Sequence, residues 1–170
     1  MPTACLRPVY TLPVTRAEPV TRPTTGSPTQ RGFEALVAVL HVQAHVIRPI
    51  DEALERAHAT SITGFELLAR LAQMPDGASV RFLSDQVVVS PSRVSRIADE
   101  FVSRGLLERT ASPHDGRLSL VRLTGKGERE LTKIRATFER AVTEHFLDHL
   151  TATQVLALIG VGRSLGAPYC

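Results

Sequence analysis

Two hydroxyls and two guanidiniums fall within five residues, at Ser92, Arg93, Ser95 and Arg96. Arginine can grip a guanine edge through two parallel hydrogen bonds, and serine can bond bases or phosphates. These groups act together only if one rigid element presents them on one side. Val94, Ile97, Ala98 and Phe101 recur at helical spacing and supply the buried face such an element needs. Ser92, Arg93, Ser95, Arg96 and Asp99 then fall on the opposite face. Ser90 is the expected N-cap, and Pro91 suits the first helical position, where its missing N–H costs nothing. Gly105 is the expected stop.

A second pair, Asp115 and Arg117, lies in Ser112-Pro113-His114-Asp115-Gly116-Arg117, which is turn chemistry throughout. The flanking segments, Leu106 to Thr110 and Leu118 to Leu123, read as paired strands, with Ser119, Val121 and Leu123 on one face. A short helix carrying Val87 and Val89 is expected before Ser90. Residues 84–124 therefore read as helix, turn, helix and hairpin, a winged helix-turn-helix. In that arrangement the second helix enters a major groove and the hairpin reaches the backbone or minor groove. The negative potential of a narrow minor groove attracts arginine, which gives Arg117 a target. Asp115 cannot favour phosphate, so its expected part is to hold Arg117 or to cap the turn.

These residues resemble the MarR family of bacterial transcriptional regulators. The resemblance rests on Ser90-Pro91-Ser92-Arg93-Val94-Ser95-Arg96, Gly105-Leu106-Leu107-Glu108-Arg109, Asp115-Gly116-Arg117 and Leu123-Thr124-Gly125-Lys126-Gly127, in that order. It covers roughly residues 33 to 165. Gly116 departs from the pattern, because many members carry a second arginine there, so a weaker grip on phosphate is implied. The resemblance implies a mainly α fold with a small β-wing, a winged helix-turn-helix with flanking dimerisation helices. It implies double-stranded DNA as partner, a homodimer, and a cleft for a phenolic or other amphipathic effector that relieves repression.

Charge narrows the DNA reading. The net charge is +3, but residues 1–31 hold Arg7, Arg16, Arg22 and Arg31 against Glu18 alone. The remaining sixteen basic side chains meet sixteen acidic ones. Affinity for DNA must therefore come from where arginines sit, and it should depend strongly on salt. Trp is absent and aromatics are few, which excludes a stacking platform for single strands. Cys5 and Cys170 lie at opposite ends, so no disulfide framework is implied and the reducing cytoplasm is expected. No apolar run is expected to approach the ~18 residues of a membrane span, and no apolar leader core is evident.

Residues 1–31 hold six of the 11 prolines and are expected to be a mobile tail, either inert or a source of weak phosphate contacts. Residues 33–57 are expected to form a long helix with Leu36, Leu40, Ile47, Ile50 and Leu54 on one stripe, disturbed by Pro49. On it, His41 and His45 stand four apart. That spacing suits metal or effector binding, but no third or fourth ligand is identifiable; the alternative is two partly buried residues near an interface. Thr63-Gly64-Phe65-Glu66 has capping-box form and opens a helix faced by Phe65, Leu68, Leu71 and Ala72, closed by Met74-Pro75-Asp76-Gly77. Ser79 to Phe82 reads as a short strand, with Arg81 near phosphate. Thr124 is placed to cap a helix of about 25 residues bearing Leu131, Ile134, Phe138, Ala141 and His145, with His149 one turn on.

Thr151-Ala152-Thr153-Gln154 opens a last helix that is apolar nearly all round, through Val155, Leu156, Leu158, Ile159, Val161 and Leu165. Such a helix cannot stand on a monomer without exposing a large patch, which argues for a homodimer independently of the resemblance. The expected division is 1–31 tail, 32–60 N-terminal dimerisation helix, 61–124 DNA-binding region and 125–170 C-terminal dimerisation helices. No phosphate loop, Cys-x-x-Cys, nucleophile elbow or His-Glu-x-x-His is present, so neither an enzyme nor a cofactor or metal centre is expected. Two readings remain beside a ligand-released repressor: a DNA-binding protein without effector, and a winged protein-interaction module.

Overall fold

The computed structural model describes residues 27–87, 89–111 and 119–165. Helix α1 (Pro28–Val42) passes through a π-helical segment (Gln43–Ile47) into α2 (Arg48–His58). There follow α3 (Ile62–Leu71), β1 (Ala78–Ser79), α4 (Val80–Ser84), α5 (Pro91–Ser103), β2 (Leu107–Ala111), β3 (Ser119–Leu123) and α6 (Gly125–His145). A 3-10 turn (Leu147–His149) leads to α7 (Ala152–Ser164). The strands form one antiparallel sheet in the order β1-β3-β2, with Ala78 opposite Val121 and Leu107 opposite Leu123. The class is mainly α with a small β-wing, as expected.

Two compact units divide these elements. The first, residues 60–136, holds α3 to β3 and the first half of α6. Its core is Phe65, Leu68, Leu83, Val94, Phe101 and Val121, all essentially shielded from solvent, together with Leu107 and Ile134. The periodic residues of α5 explain this, since Val94, Ala98 and Phe101 are its buried face. The second unit, residues 27–59 and 137–165, buries Ile50, Leu54, Phe138, Ala141 and Leu147. Within it, His58 Nε2 lies 2.9 Å from the Thr137 hydroxyl.

Several local expectations are corrected. The first helix begins at Pro28, not Phe33, because the Ser27 hydroxyl accepts from Gln30 N–H and Pro28 fits the first turn. Residues 28–31 are thus helical rather than tail. The disturbance at Pro49 takes the form of the π segment: Pro49 has no N–H for the His45 carbonyl and its ring would crowd it. The turn widens, and Arg48 N–H bonds the Gln43 carbonyl five residues back. The cap of α3 is Ser61, whose hydroxyl accepts from Gly64 N–H, while Thr63 lies inside the helix. The strand at Ser79 to Phe82 is only Ala78–Ser79; the Ser79 hydroxyl accepts from Phe82 N–H and turns the chain into α4. That helix ends at Ser84, so Val87 is a buried turn residue rather than a helical one. At the other end, α6 stops at His145, short of the expected length.

The expectation about apolar runs is corrected too. The helical stretch Pro28–His58 is long and apolar enough to cross a membrane by length and composition alone. Its valines, leucines and alanines outweigh the interruptions at His41, Gln43, His45 and Arg48. Those polar groups near mid-helix are costly in hydrocarbon.

Candidate nucleic-acid interface

Helix α5 begins as its sequence dictates. Ser90 has the extended backbone of an N-cap, and Pro91 occupies the first turn. Its hydroxyl does not cap an amide as expected; it lies 3.1 Å from the Ser92 hydroxyl instead. At the far end Gly105 takes φ +70°, Gly105 N–H bonds the Val102 carbonyl and Leu106 N–H bonds the Phe101 carbonyl. This left-handed exit is the Schellman closure that the glycine permits. The helix therefore has two defined ends and one buried face, which fixes the rotation of the other.

On that other face Ser92, Arg93, Arg96 and Asp99 are exposed, and Ser95 is half-buried. No described side chain engages either guanidinium of Arg93 or Arg96. Asp99 behaves differently: its carboxylate is bonded by Arg109 of β2. This bond ties the exposed face of α5 to β2 and neutralises one of its acidic charges, as Arg104 does for Glu100. Sequence reasoning places Asp99 on the face and Arg109 on the strand without pairing them; the only hint is opposite charge ten residues apart across a helix exit. Elsewhere in this unit, Arg81 is exposed on α4. Asp115 and Arg117 lie outside the described residues, as do Cys5 and Cys170. His41 and His45 are exposed, not partly buried, and belong to the other unit.

The wing joins α6 through a dense junction. The Thr124 hydroxyl accepts from Gly127 N–H at 3.0 Å and lies within donating distance of the carbonyls of Gly105 (2.8 Å) and Leu106 (3.1 Å). Lys126 Nζ donates to the Arg104 carbonyl at 2.7 Å. A Cβ on Gly127 would lie 2.2 Å from the Leu106 carbonyl oxygen. The Leu-Thr-x-x-Gly pattern is thus a cap and a close approach that seat the wing against the end of α5. Thr124→Val keeps the shape and removes the cap; it is expected to cost about 1 kcal/mol, read as a lowered midpoint in urea denaturation. Across the wing, Arg122 Nε donates to Glu108 at 2.9 Å, matching their register. A cleft of about 400 Å³ opens in this unit beside Met74, Pro75, Glu108, Arg122 and Glu128. None of the expected DNA- or effector-binding residues lines it.

A three-stranded wing behind a helix with an open basic first turn defines a winged-helix fold. The sequence model of the MarR family matches residues 63–118. The family is one of transcriptional regulators, not of enzymes. Solved structures share the fold. Sco3205, a MarR family transcriptional regulator from Streptomyces coelicolor in complex with DNA, aligns with TM-score 0.74 and 20% identity, covering 87% of this chain and 98% of its own. The transcriptional regulator BldR from Sulfolobus solfataricus aligns with TM-score 0.71 and 19% identity, covering 82% and 98%. CouR from Rhodococcus jostii RHA1, bound to p-coumaroyl-CoA, aligns with TM-score 0.67 and 21% identity, covering 85% and 99%. No curated protein sequence matches the chain.

Proposed function

We propose that this protein is a homodimeric regulator that binds an inverted-repeat operator in double-stranded DNA and represses transcription until a small molecule releases it. The observation that carries the proposal is the open first turn of α5, where Arg93 and Arg96 stand exposed beside Ser92 and no described side chain engages them. Exposed guanidiniums on an otherwise charge-balanced body are the groups that replace DNA's condensed counterions. Ser92, Arg93, Ser95 and Arg96 contact bases and nearby phosphates in this scheme. Asp115 and Arg117 complete the interface at the wing. The DNA complex of Sco3205 supports the docking mode.

The dimer rests on exposed apolar surface in the second unit. Phe33 and Leu40 on α1 are 68% and 63% exposed, and Leu156 and Leu165 at α7 are 69% and 80% exposed. A second copy covers such faces at lower cost than a bilayer, which would also receive His41, Gln43, His45 and Arg48. The functional division is then a reading head over 61–124 and dimerisation helices over 32–60 and 125–170, with residues 28–31 forming the first turn of the leading helix. The protein acts in the cytoplasm, where its DNA is. Light scattering is expected to give a dimer, and Leu40→Glu with Leu156→Glu to give a folded monomer; a monomeric parent chain contradicts the assembly.

Two-fold symmetry places the half-sites about one helical turn apart, ~10 base pairs. An effector releases the complex only if it binds better to a conformation with the wrong half-site spacing. CouR with its bound p-coumaroyl-CoA supports a phenolic or amphipathic effector. The test is selection of duplexes from a random library, repeated with a panel of aromatic acids and their thioesters. Convergence on an inverted repeat, lost with one panel member, is expected. No convergence rejects the regulator; convergence that no compound disturbs favours a repressor without effector.

A further inference from the structure

We propose that His41 and His45 form a two-ligand site for a late first-row divalent cation, Cu²⁺, Ni²⁺ or Zn²⁺. The two rings are stacked, with centroids 5.7 Å apart and planes 9° from parallel. Both side chains are exposed, so an ion reaches them directly. Helical spacing alone does not give this alignment. In an α-helix a residue four positions on overshoots a full turn by about 40°. Here the π segment Gln43–Ile47 begins between the two histidines, and its wider turn takes back that overshoot. His45 comes to lie over His41, and the cause is Pro49, whose missing N–H and bulky ring force the widening. Single π turns inside helices are frequent at functional sites.

Imidazole is the ligand these cations share, binding through one nitrogen at ~2.0–2.1 Å. The last side-chain torsion of histidine is broad, so small rotations turn one nitrogen of each ring towards a common point. Among the described residues no cluster of three or more His, Cys, Asp or Glu could hold a metal, so water fills the remaining positions and the ion is exchangeable. The nearest cation along the helix, Arg48, is engaged by Glu52 at 2.8 Å, which offsets its repulsion. His145 and His149 share the spacing but not the geometry. Helix α6 ends at His145, and Phe146 departs from helical backbone with φ −134° before the 3-10 turn, so they serve as an internal control.

The experiment titrates the full, untagged chain with each cation near neutral pH, by calorimetry, and examines the Cu²⁺ complex by electron paramagnetic resonance. Cu²⁺ is expected to bind tightest, following the Irving–Williams order, with two imidazole nitrogens in the spectrum. His41→Ala and His45→Ala are each expected to weaken binding about tenfold or more, with helical content by circular dichroism unchanged. His145→Ala with His149→Ala is expected to leave it unchanged. Parent affinity in the His41→Ala, His45→Ala double variant overturns the proposal. So does a spectrum with fewer than two imidazoles.

Discussion

Replacing Arg93 and Arg96 together by alanine is expected to weaken operator binding at least about thirtyfold, since each good pairing of arginine with a base is worth ~1–3 kcal/mol. The slope of log affinity against log salt should also fall by roughly one for each phosphate that the variant no longer neutralises. Both side chains are exposed and neither is engaged by a described neighbour, so no described contact depends on them. Thermal stability should therefore change by less than about 0.5 kcal/mol. Fluorescence anisotropy over a salt series, beside a melting curve, separates the two effects. A fall in stability together with affinity would make these arginines structural. Parent affinity in the folded variant would move DNA recognition to another surface.

Gly127→Ala is expected to have the largest effect on stability of any single methyl added to the winged-helix unit. The new carbon would sit 2.2 Å from the Leu106 carbonyl oxygen and 2.9 Å from Leu123 Cδ1. The oxygen belongs to backbone that already accepts from Thr124 N–H at 3.0 Å, so it cannot swing aside alone. Overpacking of this kind costs ~1–3 kcal/mol, and an unyielding neighbour puts it near the upper end. At this chain length that lowers the melting temperature by roughly 6–12 °C. Because the strain falls where the wing meets α6, hydrogen exchange in β2 and β3 should rise first. An unchanged melting curve would show that the junction gives way more readily than its hydrogen bonds indicate.

The parts of this fold that can be read from sequence are those fixed by local chemistry. Pro91 and Gly105 bound α5 because one needs no N–H and the other tolerates φ +70°. Thr151 and Gln154 form the reciprocal cap their spacing announces. The wing pairs in register because Val121 must face the core. Competition between neighbours of similar propensity is what sequence does not resolve. Ser61 and Thr63 both suit an N-cap, and the chain conformation at Ser61 decides between them. Val87 suits a helix by its apolar character, yet burial in a turn satisfies it equally. Ser79 could continue a strand or start a helix, and it does both, pairing with Leu120 while capping α4. The Asp99–Arg109 bond is invisible in sequence for another reason: it joins two elements whose angle only packing determines.

Docking of α5 in the major groove is tested most sharply by photo-crosslinking from a single engineered thiol at Ser92→Cys, on its exposed first turn, in a chain that also carries Cys5→Ser and Cys170→Ser, to a duplex selected by the protein. A second variant, Glu128→Cys at the start of α6, carries the same label. Adducts from position 92 are expected on bases in the major groove of both half-sites, at similar yield, with few from position 128. A retarded complex that gives no adduct from position 92, or adducts chiefly from position 128, would contradict docking through α5.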